Sequence, residues 1–180
     1  MRTDPAFTEI RTDRLRLRRS LPEDAEAISA YRSDPDVHQH PGWTRTAPDH
    51  GRAEIAEMLG RAPGEPGWVQ FTVETVDEPR LVGDVGLNPR ADEPGVVMVG
   101  YTIDPAEQGN GYETEAVAAL VDYAFETLGA DVVRAYADAD NVASVRVADK
   151  VGLAVVERFE GREDDGTTWH GVRMERPRAD

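Results

Sequence analysis

A glycine-framed loop between a strand pattern and a helix pattern constrains this chain more than any other feature. The loop is Gln108-Gly109-Asn110-Gly111-Tyr112. The apolar run Val96-Val97-Met98-Val99-Gly100-Tyr101 precedes it. An amphipathic run follows, with Val117, Leu120, Val121, Ala124 and Leu128 at helical spacing. The first turn of a helix has N–H groups without internal acceptors, and the helix dipole makes that end positive. Glycines let an anion approach such a backbone closely. Strand, loop and helix together therefore suit a pyrophosphate, and hence a nucleotide-bearing cofactor. A tight turn without a ligand is the plain alternative for the loop taken alone.

The rest of the chain reads as one α/β domain spanning 1–180, with a mixed, largely antiparallel sheet. Arg14 to Arg18 alternates at period two and predicts a strand with one wet face. Ser20-Leu21-Pro22-Glu23 has capping-box spacing and predicts a helix to about Arg32. Val37 to Pro48 reads as a loop and Asp49 to Leu59 as a short helix. Strands are expected over Trp68–Val76, Leu81–Leu87 and Val96–Ile103, as an antiparallel meander. Gly129 ends the central helix. A strand over Val132–Ala137, a helix over Asn141–Val151 and a final strand pair, Leu153–Phe159 and Trp169–Glu175, complete the pattern. The loop of that pair is Gly161 to Gly166.

Charge narrows the partners. The formal net charge is −15, a field that repels nucleic acid and anionic membranes and attracts cations. Lys150 is the only lysine among the 20 basic residues. A carboxylate-rich surface almost without lysine suits a salt-rich cytoplasm, and equally a GC-rich genome that favours arginine codons. There is no cysteine, which excludes disulfides, thiolate metal sites and cysteine nucleophiles. The sequence shows no membrane-spanning run and no leader, so a cytoplasmic protein is expected. His38, His40 and His50 offer too few matching ligands for a metal centre, and no metal is expected.

Several motifs in order resemble the GNAT superfamily of acyl-CoA-dependent N-acyltransferases, and within it the RimJ/RimL-type branch. Thr12 to Arg18 with Pro22-Glu23-Asp24-Ala25 looks like the family's opening strand and helix. Leu81-Val82-Gly83-Asp84-Val85-Gly86-Leu87 looks like its internal hairpin strand. Gly100-Tyr101-Thr102-Ile103-Asp104-Pro105 leads into the acyl-CoA loop. Asn141, Ser144, Lys150 and Gly152 have the spacing of the late asparagine, serine and Lys-x-Gly motif. The resemblance covers nearly the whole chain.

It implies an acyltransferase that moves the acetyl group of acetyl-CoA to a primary amine, either a protein N-terminus or a small molecule, by direct attack in a ternary complex. The amides from Gln108 through Gly109, Asn110, Gly111, Tyr112 and Glu113 to Thr114 would cradle the pyrophosphate. The strand bearing Val99, Gly100 and Tyr101 would splay from Val132–Ala137 to admit the pantetheine, its N–H groups serving the oxyanion. Asn141 would hydrogen-bond the pantetheine, or simply cap its helix. Ser144 would lie near the departing sulfur. Glu163 and Asp84 are the candidate bases, and His38, Trp43 and Asp84 the candidate acceptor contacts. A homodimer is left open. Two departures stand out. Leu153 replaces the usual Phe, and Glu113 occupies a position where the family has Gly or Ala. A carboxylate beside a pyrophosphate costs Coulomb energy. Glu113 therefore also supports the alternative of a non-catalytic GNAT-like module.

Overall fold

Alternation in the strands builds one mixed sheet. A computed structural model of the chain describes residues 1–34, 37, 48–162 and 168–179, the side chains of 48–50 excepted. The strands are β1 (Glu9–Arg11), β2 (Leu15–Arg19), β3 (Val69–Thr75), β4 (Leu81–Pro89), β5 (Val96–Ile103), β6 (Val132–Asp138), β7 (Ala154–Arg162) and β8 (Thr168–Pro177). Their spatial order is β1-β2-β3-β4-β5-β6-β8-β7. Neighbours are antiparallel except β5 and β6, which run parallel. The expected β3-β4-β5 meander is present. In β2, Leu15 and Leu17 are fully buried, whereas Arg16 and Arg18 turn to the other face and pair with Glu74.

The two sheet faces carry different helices. Helix α3 (Tyr112–Glu126) lies across β1, β2, β4, β5 and β6 and buries Ala116, Val117, Leu120, Val121 and Ala124. Helix α4 (Val142–Lys150) packs beside α3 and on β6 and β7. Helices α1 (Ala25–Arg32) and α2 (Pro48–Leu59) pack on β4 and β3, with Ala25, Ile28, Tyr31 and Ile55 as a separate apolar cluster. On β4, Val85 belongs to the main core, and its neighbour Asp84 bonds to α1; adjacent strand residues face opposite ways. Among the described residues no helix is long and apolar enough to cross a membrane.

Three expectations change in detail. The capping box falls one residue later than Ser20-Glu23. A 3-10 turn (Pro22–Asp24) precedes α1, and the Asp24 carboxylate accepts the Leu21 N–H at 2.8 Å. Ser20 is buried in the sheet instead, its hydroxyl 2.9 Å from that of Thr72. Strand β1 was not expected, because its one apolar residue, Ile10, gives no period. It exists through pairing with β2, Ile10 opposite Leu17. The final pair is longer than expected, with Gly161 and Arg162 in β7 rather than in the loop.

Candidate active site

The parallel pair β5–β6 is the place where the sheet opens. It is joined only at Val96–Val132, Val97–Val133 and Met98–Arg134. Beyond that point β5 continues to Ile103 and β6 to Asp138 without pairing. The result is a wedge with Val99, Gly100 and Tyr101 along one side and Ala135, Tyr136 and Ala137 along the other. Its closed end is pinned by Arg134, a buried guanidinium that meets Glu93 at 2.6 Å and Glu175 at 2.7 Å. These hydrogen bonds raise its pKa above the ordinary arginine value, burial acting the other way.

The glycine loop stands at the mouth of the wedge. Gly109 and Gly111 have φ of 80° and 78°, a left-handed backbone that suits glycine. Gly111 is the N-cap of α3 and offers no capping side chain. The first intrahelical bond runs from the Glu115 N–H to the Gly111 carbonyl at 3.1 Å. Among the described residues, the N–H groups of Gly109 to Thr114 meet no backbone acceptor. A Cβ on Gly109 would find open space. Free amides at a helix N-terminus, with room in front of them, form an anion cradle. The residues fit a pyrophosphate there.

Arginines brace this loop from two sides. Arg14 donates to the Asn110 carbonyl at 3.0 Å and to Glu115 at 2.7 Å, and lies over the Tyr112 ring at 4.9 Å. Thr12 also donates to Glu115, at 2.5 Å. Burial would raise the Glu115 pKa; the bonds from Thr12 and Arg14 outweigh it and hold the carboxyl below its usual range. Arg80 pairs with Glu107 at 2.9 Å, and Asn110 donates to the Glu107 carbonyl at 3.0 Å. Sequence reasoning missed this bracing. Arg14 and Glu115 are 101 positions apart, and nothing local links them.

Glu113 points inward. It precedes Ala116, Val117 and Leu120 by three, four and seven positions, the spacing of one helix face, and those three are fully buried. The carboxylate is half-buried at the top of that stripe. Burial, and then the negative charge of Asp84, push its pKa up to about 7. Burial also raises Tyr101, and the Glu113 charge raises it further. No hydrogen bond to the Glu113 carboxylate is present among the described residues.

The late motif closes the far side. Asn141 caps α4, its Oδ1 accepting the Ser144 N–H at 3.0 Å. Tyr101 donates to the Ser144 carbonyl at 2.9 Å, tying β5 to α4 across the wedge. Asp84 is not the open carboxylate that a general base requires. It is 1% exposed and accepts bonds from Tyr31, Arg32 and Gln70, on the sheet face opposite α3. To take a proton it would have to give up its pairing with Arg32. His38, Trp43 and Glu163 lie outside the described residues. No metal-holding group of His, Asp and Glu occurs among the described residues.

This geometry meets its match in known proteins. A family model described as an acetyltransferase (GNAT) domain covers residues 14–154. The chain belongs to the GNAT acetyltransferase family. The protein named Uncharacterized N-acetyltransferase YoaA, from Bacillus subtilis (strain 168), is 30% identical over 82% of this chain and 83% of its own. The fold recurs in the crystal structure of a GNAT-family acetyltransferase from Bacillus anthracis, with a TM-score of 0.82 at 23% identity, covering 94% of this chain and 98% of that one. It recurs too in the ribosomal-protein-S5-alanine acetyltransferase of Vibrio fischeri, with a TM-score of 0.74 at 17% identity over 97% and 98% of the two chains. Membership makes the chain an acyltransferase enzyme, and acetyl-CoA is the co-substrate of that family.

Proposed function

We propose that this GNAT enzyme is a cytoplasmic acetyltransferase of the RimJ/RimL type. It moves the acetyl group of acetyl-CoA to a primary amine, the α-amine of a polypeptide or that of a small molecule. The observation that carries this reading is one juxtaposition: unpaired amides at the start of α3 beside a wedge whose β5 edge is unpaired beyond Met98. The amides of Gly109 to Thr114 receive the pyrophosphate; the Gln108 N–H, expected among them, is taken by the Pro105 carbonyl at 3.4 Å. The free edge of β5 at Val99, Gly100 and Tyr101 pairs with the pantetheine, and its N–H groups stabilise the oxyanion as the amine attacks. Asn141 keeps its capping role and turns its amide nitrogen to the pantetheine. The Ser144 hydroxyl, in the first turn of α4, passes its proton to the departing sulfur and recovers one, through water, from the amine nitrogen as the amide forms. Arg14 and Arg80 keep the loop in shape within a chain of formal net charge −15. Residues 1–180 act as a single unit, since the sheet runs from Glu9 to Pro177.

Glu113 does not demand a non-catalytic protein. At neutral pH a carboxyl with a pKa of about 7 is partly protonated, which relieves its repulsion of a pyrophosphate. The test is release of free CoA thiol from acetyl-CoA with a panel of amines and of peptides with free N-termini. Acceptor-dependent release that Gly111→Glu abolishes supports the reading. Release that is indifferent to Gly111→Glu moves the cofactor site elsewhere.

A further inference from the structure

The half of β6 that parts from β5 carries residues that cofactor binding does not use. Val133, Ala135 and Ala137 belong to the core under α3, so Tyr136 and Asp138 share the opposite face. Both lie past Met98–Arg134, where the wedge is open. Register places Asp138 opposite Gly171 of β8, and Gly171 opposite Phe159 of β7, in one row across three strands. A Cβ on Gly171 would run into the Phe159 and Trp169 rings, so these rings close over the bare glycine. Tyr136, Phe159 and Trp169 form a chain of edge-to-face contacts, with centroids 6.0 Å and 5.5 Å apart.

At the end of this aromatic row sits a carboxylate with one buried oxygen that lacks a partner among the described residues. Asp138 Oδ1 is buried and meets no hydrogen-bond donor among the described residues. Arg173, opposite Tyr136, pairs through its Nη2 with Glu157 at 3.0 Å, and its Nε, which makes no hydrogen bond among the described residues, lies 3.5 Å from Glu175 rather than on Asp138. A buried carboxylate oxygen without a donor is costly. Aromatic rings beside it attract cations through their faces. An organic ammonium satisfies both at once. A metal ion would need further carboxylate or imidazole ligands, which the described residues do not group here.

We propose that Asp138, with the rings of Tyr136 and Phe159, binds a positively charged amine of the acceptor. The inference rests on the acetyltransferase reading only for the word acceptor; the amine site itself is tested without turnover. The probes are spermidine and tetramethylammonium, the latter a cation that can be neither deprotonated nor acetylated. Each is titrated by calorimetry at low ionic strength into the wild type, Asp138→Asn, Phe159→Leu and Asp92→Asn. Asp92 is an exposed residue paired with Arg90, so its variant makes the same change of charge away from the row. Saturable spermidine binding is expected, weakened about tenfold by Asp138→Asn and unchanged by Asp92→Asn. Phe159→Leu weakens tetramethylammonium severalfold through loss of the ring face. Equal affinities for Asp138→Asn and Asp92→Asn, or no saturable binding by the wild type, overturn the proposal. Acetyl-CoA titration of the same proteins keeps the two questions apart. If acetyl-CoA fails to bind the wild type, the acetyltransferase reading falls, whereas the amine site stands or falls on the Asp138 comparison alone.

Discussion

Glu113 combines burial with a raised pKa beside the proposed cofactor loop. Its pKa rises from 4.5 to about 7 on folding, with burial the main cause. The folded state therefore binds a proton that the unfolded state releases more readily between these values. The stabilising contribution is complete below the unfolded pKa and is lost as pH rises through the folded one. Replacement by Gln removes that loss. The Glu113→Gln protein is expected to be more stable than the wild type by roughly 2 kcal/mol at about pH 8, with the difference shrinking towards about pH 5. Urea unfolding of the ligand-free proteins at both pH values checks this; a difference independent of pH contradicts it. The same residue predicts acyl-CoA affinity. Glu113→Ala is expected to tighten acetyl-CoA binding severalfold at low salt, about 1 kcal/mol, and more so at alkaline pH, where the carboxylate is fully charged. Equal affinities across the pH range would place the carboxylate out of reach of the pyrophosphate. The sequence identified Glu113 as a departure from its family, and its direction followed only from the helix face shared with Ala116, Val117 and Leu120.

At the scale of elements, the site is a junction between a helix start and a strand pair, and each can be broken separately. Gly111→Glu puts a side chain on a left-handed N-cap residue, at a cost of about 1–2 kcal/mol, and adds a negative charge beside the free amides, its Cβ 3.6 Å from the Arg14 guanidinium that braces the loop. The protein is expected to stay folded by circular dichroism and to lose acetyl-CoA binding by calorimetry. Arg14→Ala acts differently, since Arg14 holds the Asn110 carbonyl and Glu115 from outside. With a half-exposed side chain, its loss should cost only about 0.5–1 kcal/mol of stability, yet weaken acetyl-CoA binding through a looser loop. An unaltered affinity in Arg14→Ala would show that the loop holds its shape without it. The strand-loop-helix pattern and the meander were legible because period two and period 3.6 survive in Val96–Ile103 and Val117–Leu128. The bracing by Arg14, the weak strand β1 and the orphaned Asp138 were not, because each depends on partners distant in the chain. Asp84 looked like a free carboxylate in sequence, and only the packing of α1 on β4 shows it to be held by Arg32.

For the whole molecule the governing number is the net charge of −15. Self-repulsion of that size destabilises a compact state, and salt screens it. The melting temperature is therefore expected to rise between low salt and molar KCl; no rise would mean that the arginine pairs already neutralise the surface locally. The fold class was readable in the sequence since the elements occur in order along the chain. The splay of β5 from β6 was expected from family resemblance rather than from pattern, and on the proposed reading it is this splay, beside the amides of α3, that admits the cofactor. If this junction holds acetyl-CoA, calorimetric titration of acetyl-CoA into the wild-type protein reads the binding without turnover. A saturable isotherm of one site per chain, absent in Gly111→Glu, is the result the structure predicts. No saturable heat at millimolar acetyl-CoA, in both low and high salt and on either side of neutral pH, would contradict it.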